Sequence, residues 1–158
     1  MRIEFLADHP QHAATLARWH FDEWHGTLIP EWTYEAALRE LASHRDRAAI
    51  PTTFVALEAD ELIGSASLVV EDLPEWKHLT PWMASVFVAP AWRGRGVGRE
   101  LVRFAESLAG QLGVPELYLL TAGQAEYYRR LGWSVLDVSP VPSRPVTIMS
   151  KRLAGNTF

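Results

Sequence analysis

The sequence predicts a single mixed α/β domain over residues 1–158, and three observations carry that expectation. A chain of 158 residues is near the usual size of one domain, so a second core is not expected. A composition 48% hydrophobic and 22% charged, with a mean hydropathy of -0.05, suits a globular chain that buries a large core. Strand-like runs and runs of helical spacing interleave along the whole length, in the order βααβββαβαββ.

Ile3 to Leu6 reads as the first strand. Asp8 ahead of Pro10 marks a helix start, and Ala13, Leu16, Ala17 and His20 recur at helical spacing as far as about Trp24, leaving Asp22 and Glu23 near the helix end. Gly26 and Pro30 end it. Thr33 is the expected N-cap of a second helix, with Ala37, Leu38 and Leu41 as its apolar stripe, fading near Arg45. Thr53 to Leu57, a turn at Ala59 to Glu61, and Leu62 to Val70 form a hairpin in which Gly64 marks a bulge or a close backbone approach. After a polar, proline-containing loop, Met83 to Val88 is strand-like.

The most regular helix follows a glycine-rich turn: Val97, Leu101, Phe104, Ala105 and Leu108 repeat at helical spacing up to about Ala109, with Gly110 and Gly113 as stops. Leu117 to Leu120 is a short buried strand, Gln124 to Leu131 a short helix stopped by Gly132, and Trp133 to Val138 a strand. Pro140, Pro142 and Pro145 punctuate a loop before the last strand, Val146 to Ser150.

Composition excludes several chemistries. The chain has no cysteine, so no disulfide framework, thiolate nucleophile or Cys-ligated metal site exists. No apolar run approaches the roughly 20 residues that span a bilayer, and no signal-like segment opens the chain, so a cytoplasmic protein is expected. The net charge of -4 is unevenly spread: residues 1–79 hold six Lys/Arg against fourteen Asp/Glu, and residues 80–158 hold nine against five. An acidic first half argues against nucleic acid and suits a cationic ligand, while the basic second half suits an anionic one. All six histidines, at 9, 12, 20, 25, 44 and 78, fall in the first half, but His20 and His25 are five apart and do not share a helix face, so no metal site is expected.

The segment Val86-Phe87-Val88-Ala89-Pro90-Ala91-Trp92-Arg93-Gly94-Arg95-Gly96-Val97-Gly98-Arg99 leads from a strand through three alternating glycines into a helix. Such a turn lets successive N–H groups converge without Cβ obstruction, and the helix start adds its own unpaired N–H groups and positive dipole, which together hold phosphate oxygens. A phosphate loop of the Gly-Lys-Ser/Thr kind is excluded because no lysine lies between Lys77 and Lys151. A dinucleotide fingerprint fails as well, since Arg99 and Leu101 stand where its last glycine belongs.

What fits is Arg-x-x-Gly-x-Gly at Arg93, Gly96 and Gly98, and here the sequence resembles the GCN5-related N-acetyltransferase (GNAT) superfamily. A second stretch, Ala125-Glu126-Tyr127-Tyr128-Arg129-Arg130-Leu131-Gly132-Trp133, resembles that family's later motif, with Tyr128 at its tyrosine position. The resemblance implies a mixed, mostly antiparallel sheet flanked by helices. It also implies acetyl-CoA as co-substrate, with Val86, Phe87 and Val88 pairing with pantetheine, Arg93, Gly94, Arg95, Gly96, Val97, Gly98 and Arg99 gripping the pyrophosphate, and Gln124 joining the coenzyme set. Tyr118 to Trp133 is similar to protein N-terminal acetyltransferases too.

The implied reaction is direct acetyl transfer to a primary amine in a ternary complex, with no metal. An acyl-enzyme is disfavoured because no cysteine and no Gly-x-Ser-x-Gly elbow is present. Tyr128 is the expected proton source for the leaving thiolate. Backbone N–H groups near Phe87 and Val88 are the expected donors to the thioester oxygen. Trp82 to Val88 contains no carboxylate, so the base is sought through water at Glu23, His20 or His25. Glu23, Trp24, Trp32 and Tyr34 are the expected acceptor wall. The expected partner is a small-molecule or peptide amine, with no nucleic acid and no membrane, and a homodimer is left open. A coenzyme A-binding sensor that has lost turnover is the rival reading.

Overall fold

A computed structural model describes residues 1–25, 32–44, 46–47, 49–141 and 144–153, without the side chains of 139–141, 144 and 145. The expected stops Gly26 and Pro30, the helix end near Arg45, and Pro142 lie outside the described residues. The elements are β1 (Arg2–Phe5), α1 (Ala13–Trp24), α2 (Tyr34–Ser43), β2 (Thr52–Glu58), β3 (Glu61–Val69), β4 (Trp82–Val88), α3 (Val97–Gln111), β5 (Glu116–Thr121), α4 (Ala125–Arg130), β6 (Ser134–Val141) and β7 (Arg144–Arg152), which is the expected order.

Seven strands form one sheet in the order β1-β2-β3-β4-β5-β7-β6. Every neighbouring pair is antiparallel except β4 with β5. Helices cover both faces, and β2 shows why its sequence is almost wholly apolar. Phe54 and Ala56 pack with Val97, Leu101 and Ala105 of α3, whereas Val55 and Leu57 pack on the other face with Leu16 and Ala17 of α1 and Ala37 and Leu41 of α2. Gly64 is a close-approach position: a Cβ there would lie 2.9 Å from Phe87 O and 3.1 Å from a methyl of Leu101, so nothing larger lets α3 sit on the sheet.

Three local expectations are corrected. The first long helix begins at Ala13, after two 3-10 turns at Leu6–Asp8 and Pro10–His12. Pro10 disfavours helical backbone at His9, whose φ and ψ are -137° and 56°, and the Asp8 carboxylate is held by the Arg47 guanidinium. Gly110 does not stop α3, which runs to Gln111 before Gly113 turns at φ +84°. Pro140 and Pro145 stand in strands and not in a loop, paired in register across β6 and β7. β6 is the sheet edge, and Pro145 lies beyond the stretch where β7 meets β5, so neither proline removes a donor from a central ladder.

Candidate active site

The site begins where the sheet stops being continuous. β4 and β5 pair at Trp82 with Tyr118, where the Tyr118 N–H donates to Pro81 O at 3.2 Å. Past that point no register joins them. The register of β4 on β3 jumps from Ala84 opposite Ser67 to Phe87 opposite Ser65, so Ser85 and Val86 together face Ala66. A bulge of this kind bends its strand, and it turns β4 away from its parallel neighbour. A cavity of about 370 Å³ opens in the gap, walled by Met83, Ala84, Ser85 and Val86 on one side and by Leu119, Leu120, Thr121 and Ala122 on the other.

At the far end of β4 lies the glycine turn. Gly94 and Gly96 stand at φ +76° and +85°, and a Cβ on either would meet nothing within 4 Å, so these glycines serve backbone conformation and leave open space above the turn. The Glu100 N–H is the first to find an acceptor, Gly96 O at 3.1 Å, leaving the N–H groups of Val97, Gly98 and Arg99 at the start of α3 without helical partners. The Arg93 side chain closes back on the strand: its Nε donates to Val88 O at 3.0 Å, and its guanidinium lies 5.6 Å from the Phe87 ring centroid. Gly98 faces Tyr127, whose hydroxyl would lie 3.0 Å from a Cβ placed there. Beside the turn, Arg99, Arg103 and Arg130 line a groove of about 360 Å³ with Glu106 and Lys151. Glu106 is occupied by Lys151 at 2.8 Å and by the Trp133 indole at 3.0 Å, and Arg130 lies 3.8 Å from Glu126, so among the described residues Arg99 and Arg103 carry the unbalanced positive charge of the groove.

The cavity gathers several of the residues singled out by sequence. Glu23 and Trp24 from α1, Trp32, Gln124 and Tyr128 all line it. Gln124 is held at the start of α4 by Thr121, whose Oγ1 accepts from its N–H at 3.0 Å. Tyr128 is 9% exposed, and its hydroxyl has no hydrogen-bond partner among the described residues. Burial, and secondarily Tyr127, raises its pKa, so the phenol stays protonated.

Other residues lie elsewhere. Tyr34 packs away from the cavity, with the Arg18 guanidinium 4.3 Å from its ring centroid. His25 stacks on Phe21 at 4.3 Å and bonds its carbonyl at 2.6 Å. His20 is buried against Ser65 at 2.9 Å, and burial, with a smaller contribution from His44, lowers it to about 4. Phe87 and Val88 lie beyond the cavity, which reaches the bulge at Ser85 and Val86 instead.

Two carboxylates on the cavity wall were not found from sequence. Asp72, in the loop between β3 and β4, and Glu40, on α2, both face it. Loss of hydration, then the negative charge of Glu40, pushes Asp72 up to about 7, while burial also raises Glu40. Among the described residues no three acidic or imidazole groups could hold a metal ion together. No motif joins positions 23, 40 and 72; only the packing of α1 and α2 on the sheet does.

The fold around this split is an acyltransferase fold. Residues 13–133 match the model of the Acetyltransferase (GNAT) family, and the chain belongs to that family. Its fold is shared with solved structures of low sequence identity. One is an aminoglycoside 6'-N-acetyltransferase complexed with coenzyme A, at 17% identity and TM-score 0.78 over 100% of both chains. Another is a ribosomal-protein-alanine N-acetyltransferase from Brucella melitensis, at 20% identity and TM-score 0.75 over 97% of this chain and 100% of that one. A third is yncA from Salmonella typhimurium with its cofactor acetyl-CoA, at 21% identity and TM-score 0.74 over 100% of this chain and 96% of that one. No helix among the described residues is long and apolar enough to cross a membrane.

Proposed function

We propose that the protein transfers the acetyl group of acetyl-CoA to a cationic primary amine by direct attack within a ternary complex. The observation that carries this reading is the cavity in the β4–β5 split, lined by Glu23, Glu40, Asp72 and Tyr128, whose hydroxyl has no hydrogen-bond partner among the described residues. Pantetheine enters along Val86 to Val88. The turn from Arg93 to Arg99 takes the pyrophosphate on its N–H groups, and Arg99, Arg103 and Arg130 supply positive charge for the nucleotide phosphates.

The acceptor arrives as an ammonium ion and loses a proton to Asp72, whose raised pKa makes it a base of useful strength near neutrality. Its nitrogen then attacks the thioester carbonyl carbon, the C–S bond breaks, and Tyr128 gives its phenolic proton to the departing sulfur. Trp24 and Trp32 flank the approaching amine. A small polyamine-like or amino-sugar acceptor fits the acidic wall, in keeping with fold neighbours named for action on aminoglycosides.

Release of free thiol from acetyl-CoA, followed across a panel of primary amines and peptides with mass measurement of the products, tests the reading. Amine-dependent release with acetylated product supports it. A chain that binds acetyl-CoA but releases thiol to no amine is the non-catalytic sensor instead.

A further inference from the structure

Among the described residues two non-glycine positions have positive φ, Ala59 and Ser85. Ala59 sits in the turn between β2 and β3, but Ser85, at φ 55°, lies inside β4 at the bulge. A side chain makes that conformation costly, so something must hold it. The Ser65 hydroxyl, fully buried on β3, donates to Ser85 O across a long 3.3 Å bond, and it lies 2.9 Å from His20 Nε2. With the hydroxyl proton on the carbonyl, Ser65 accepts from His20, the arrangement in which the neutral imidazole carries its hydrogen on Nε2. Burial keeps His20 neutral across the working range of pH, so the pair gains no charge there.

The direction matters because the peptide joining Ser85 to Val86 is trans, and a trans peptide points its C=O and N–H to opposite sides. With Ser85 O drawn toward Ser65 on β3, the Val86 N–H faces away from β3, into the split. We propose that His20 and Ser65 are positioning residues that aim the Val86 N–H at the thioester oxygen. This rests on the acetyl-transfer reading above. It moves the expected backbone donor from Phe87 and Val88 to the bulge, where the cavity is. His20 also packs against Trp24, with ring centroids 5.2 Å apart, so the acceptor wall and the donor peptide share one support.

The test compares the parent with Ser65→Ala, with Ser65→Ala plus Ser85→Gly, and with the pair His20→Gln and His20→Leu. Readouts are kcat with the fastest amine of the panel, the Kd of acetyl-CoA, and the infrared carbonyl band of bound carbonyl-labelled acetyl-CoA. Ser65→Ala should lower kcat by roughly tenfold to a hundredfold, below or at the edge of what losing such a donor outright costs, with little change in Kd. Its carbonyl band should move toward that of the free thioester. Adding Ser85→Gly, which adopts positive φ without a side-chain cost, should recover much of the loss. His20→Gln, which keeps an N–H donor, should exceed His20→Leu in kcat.

A folded Ser65→Ala chain with the parent's kcat and carbonyl band overturns the assignment. So does a loss that adding Ser85→Gly leaves untouched. If the parent releases no thiol to any amine, the acetyl-transfer reading fails while the carbonyl band of the bound thioester still decides the role of Ser65.

Discussion

Trp82 and Tyr118 form the paired position of β4 with β5, and the two strands part immediately beyond it. Trp82 is fully buried and its indole donates to Leu79 O at 2.6 Å, so the closed end of the split is anchored in the core. At the open end, the bulge at Ser85 and Val86 bends β4 off its neighbour. The cavity is therefore a property of the sheet, and the groups lining it come from elements far apart in sequence.

The glycine turn makes the simplest prediction. At Gly96 an added Cβ would meet nothing within 4 Å, so Gly96→Glu should fold, with a backbone cost of about 1–2 kcal/mol for the positive φ. Its carboxylate would stand where phosphate oxygens belong. Titration calorimetry should show coenzyme A affinity falling by about a hundredfold or more, as expected for a like charge set against the ligand.

Asp72 makes a prediction in pH. Its folded-state pKa, about 7, lies above the ordinary 3.8, so the free enzyme carries a protonated Asp72 in acid and a competent base only as pH rises through about 7. The rate profile of kcat/KM should climb through that region, and Asp72→Asn should lose the climb together with most of its activity. Stability has the opposite sign: ionising the poorly hydrated Asp72 destabilises the fold, so the Tm of Asp72→Asn should gain on the parent as pH rises from 3.8 to about 7 and hold steady above.

Charge on the acceptor wall should be visible in salt. If Glu23, Glu40 and Asp72 draw a cation inward, kcat/KM for a multiply charged amine should fall as ionic strength rises, since exposed charges are screened over about 10 Å at 0.1 M. Glu40→Gln should reduce that dependence. A value flat from low to high salt argues against steering.

Sequence reading recovers what is local. The glycines at 94, 96 and 98 are legible as a turn because alternate residues lack Cβ, and Tyr128 stands out only through its place in the motif that resembles the family's. Thr33 is legible for the same reason, its hydroxyl accepting from Ala36 N–H at 3.0 Å. Asp72 and Glu40 are not, because each looks like any solvated carboxylate until the sheet and α2 bring them to one wall. Ser85 is hidden for the opposite reason. Positive φ is usually marked by glycine or asparagine, and here a buried hydroxyl on the next strand holds a serine in that conformation.

Tyr128→Phe tests the central claim most directly, because it keeps the ring on the cavity wall and removes only the hydroxyl. Amine-dependent thiol release and coenzyme A affinity should be measured side by side for the parent, for Tyr128→Phe, and for Tyr127→Phe as the adjacent control. The account expects kcat to fall by roughly 10² to 10⁴ in Tyr128→Phe, with coenzyme A affinity little changed and Tyr127→Phe largely active. Turnover at the parent rate in Tyr128→Phe when chemistry is rate-limiting, or equal losses in the two variants, would contradict it.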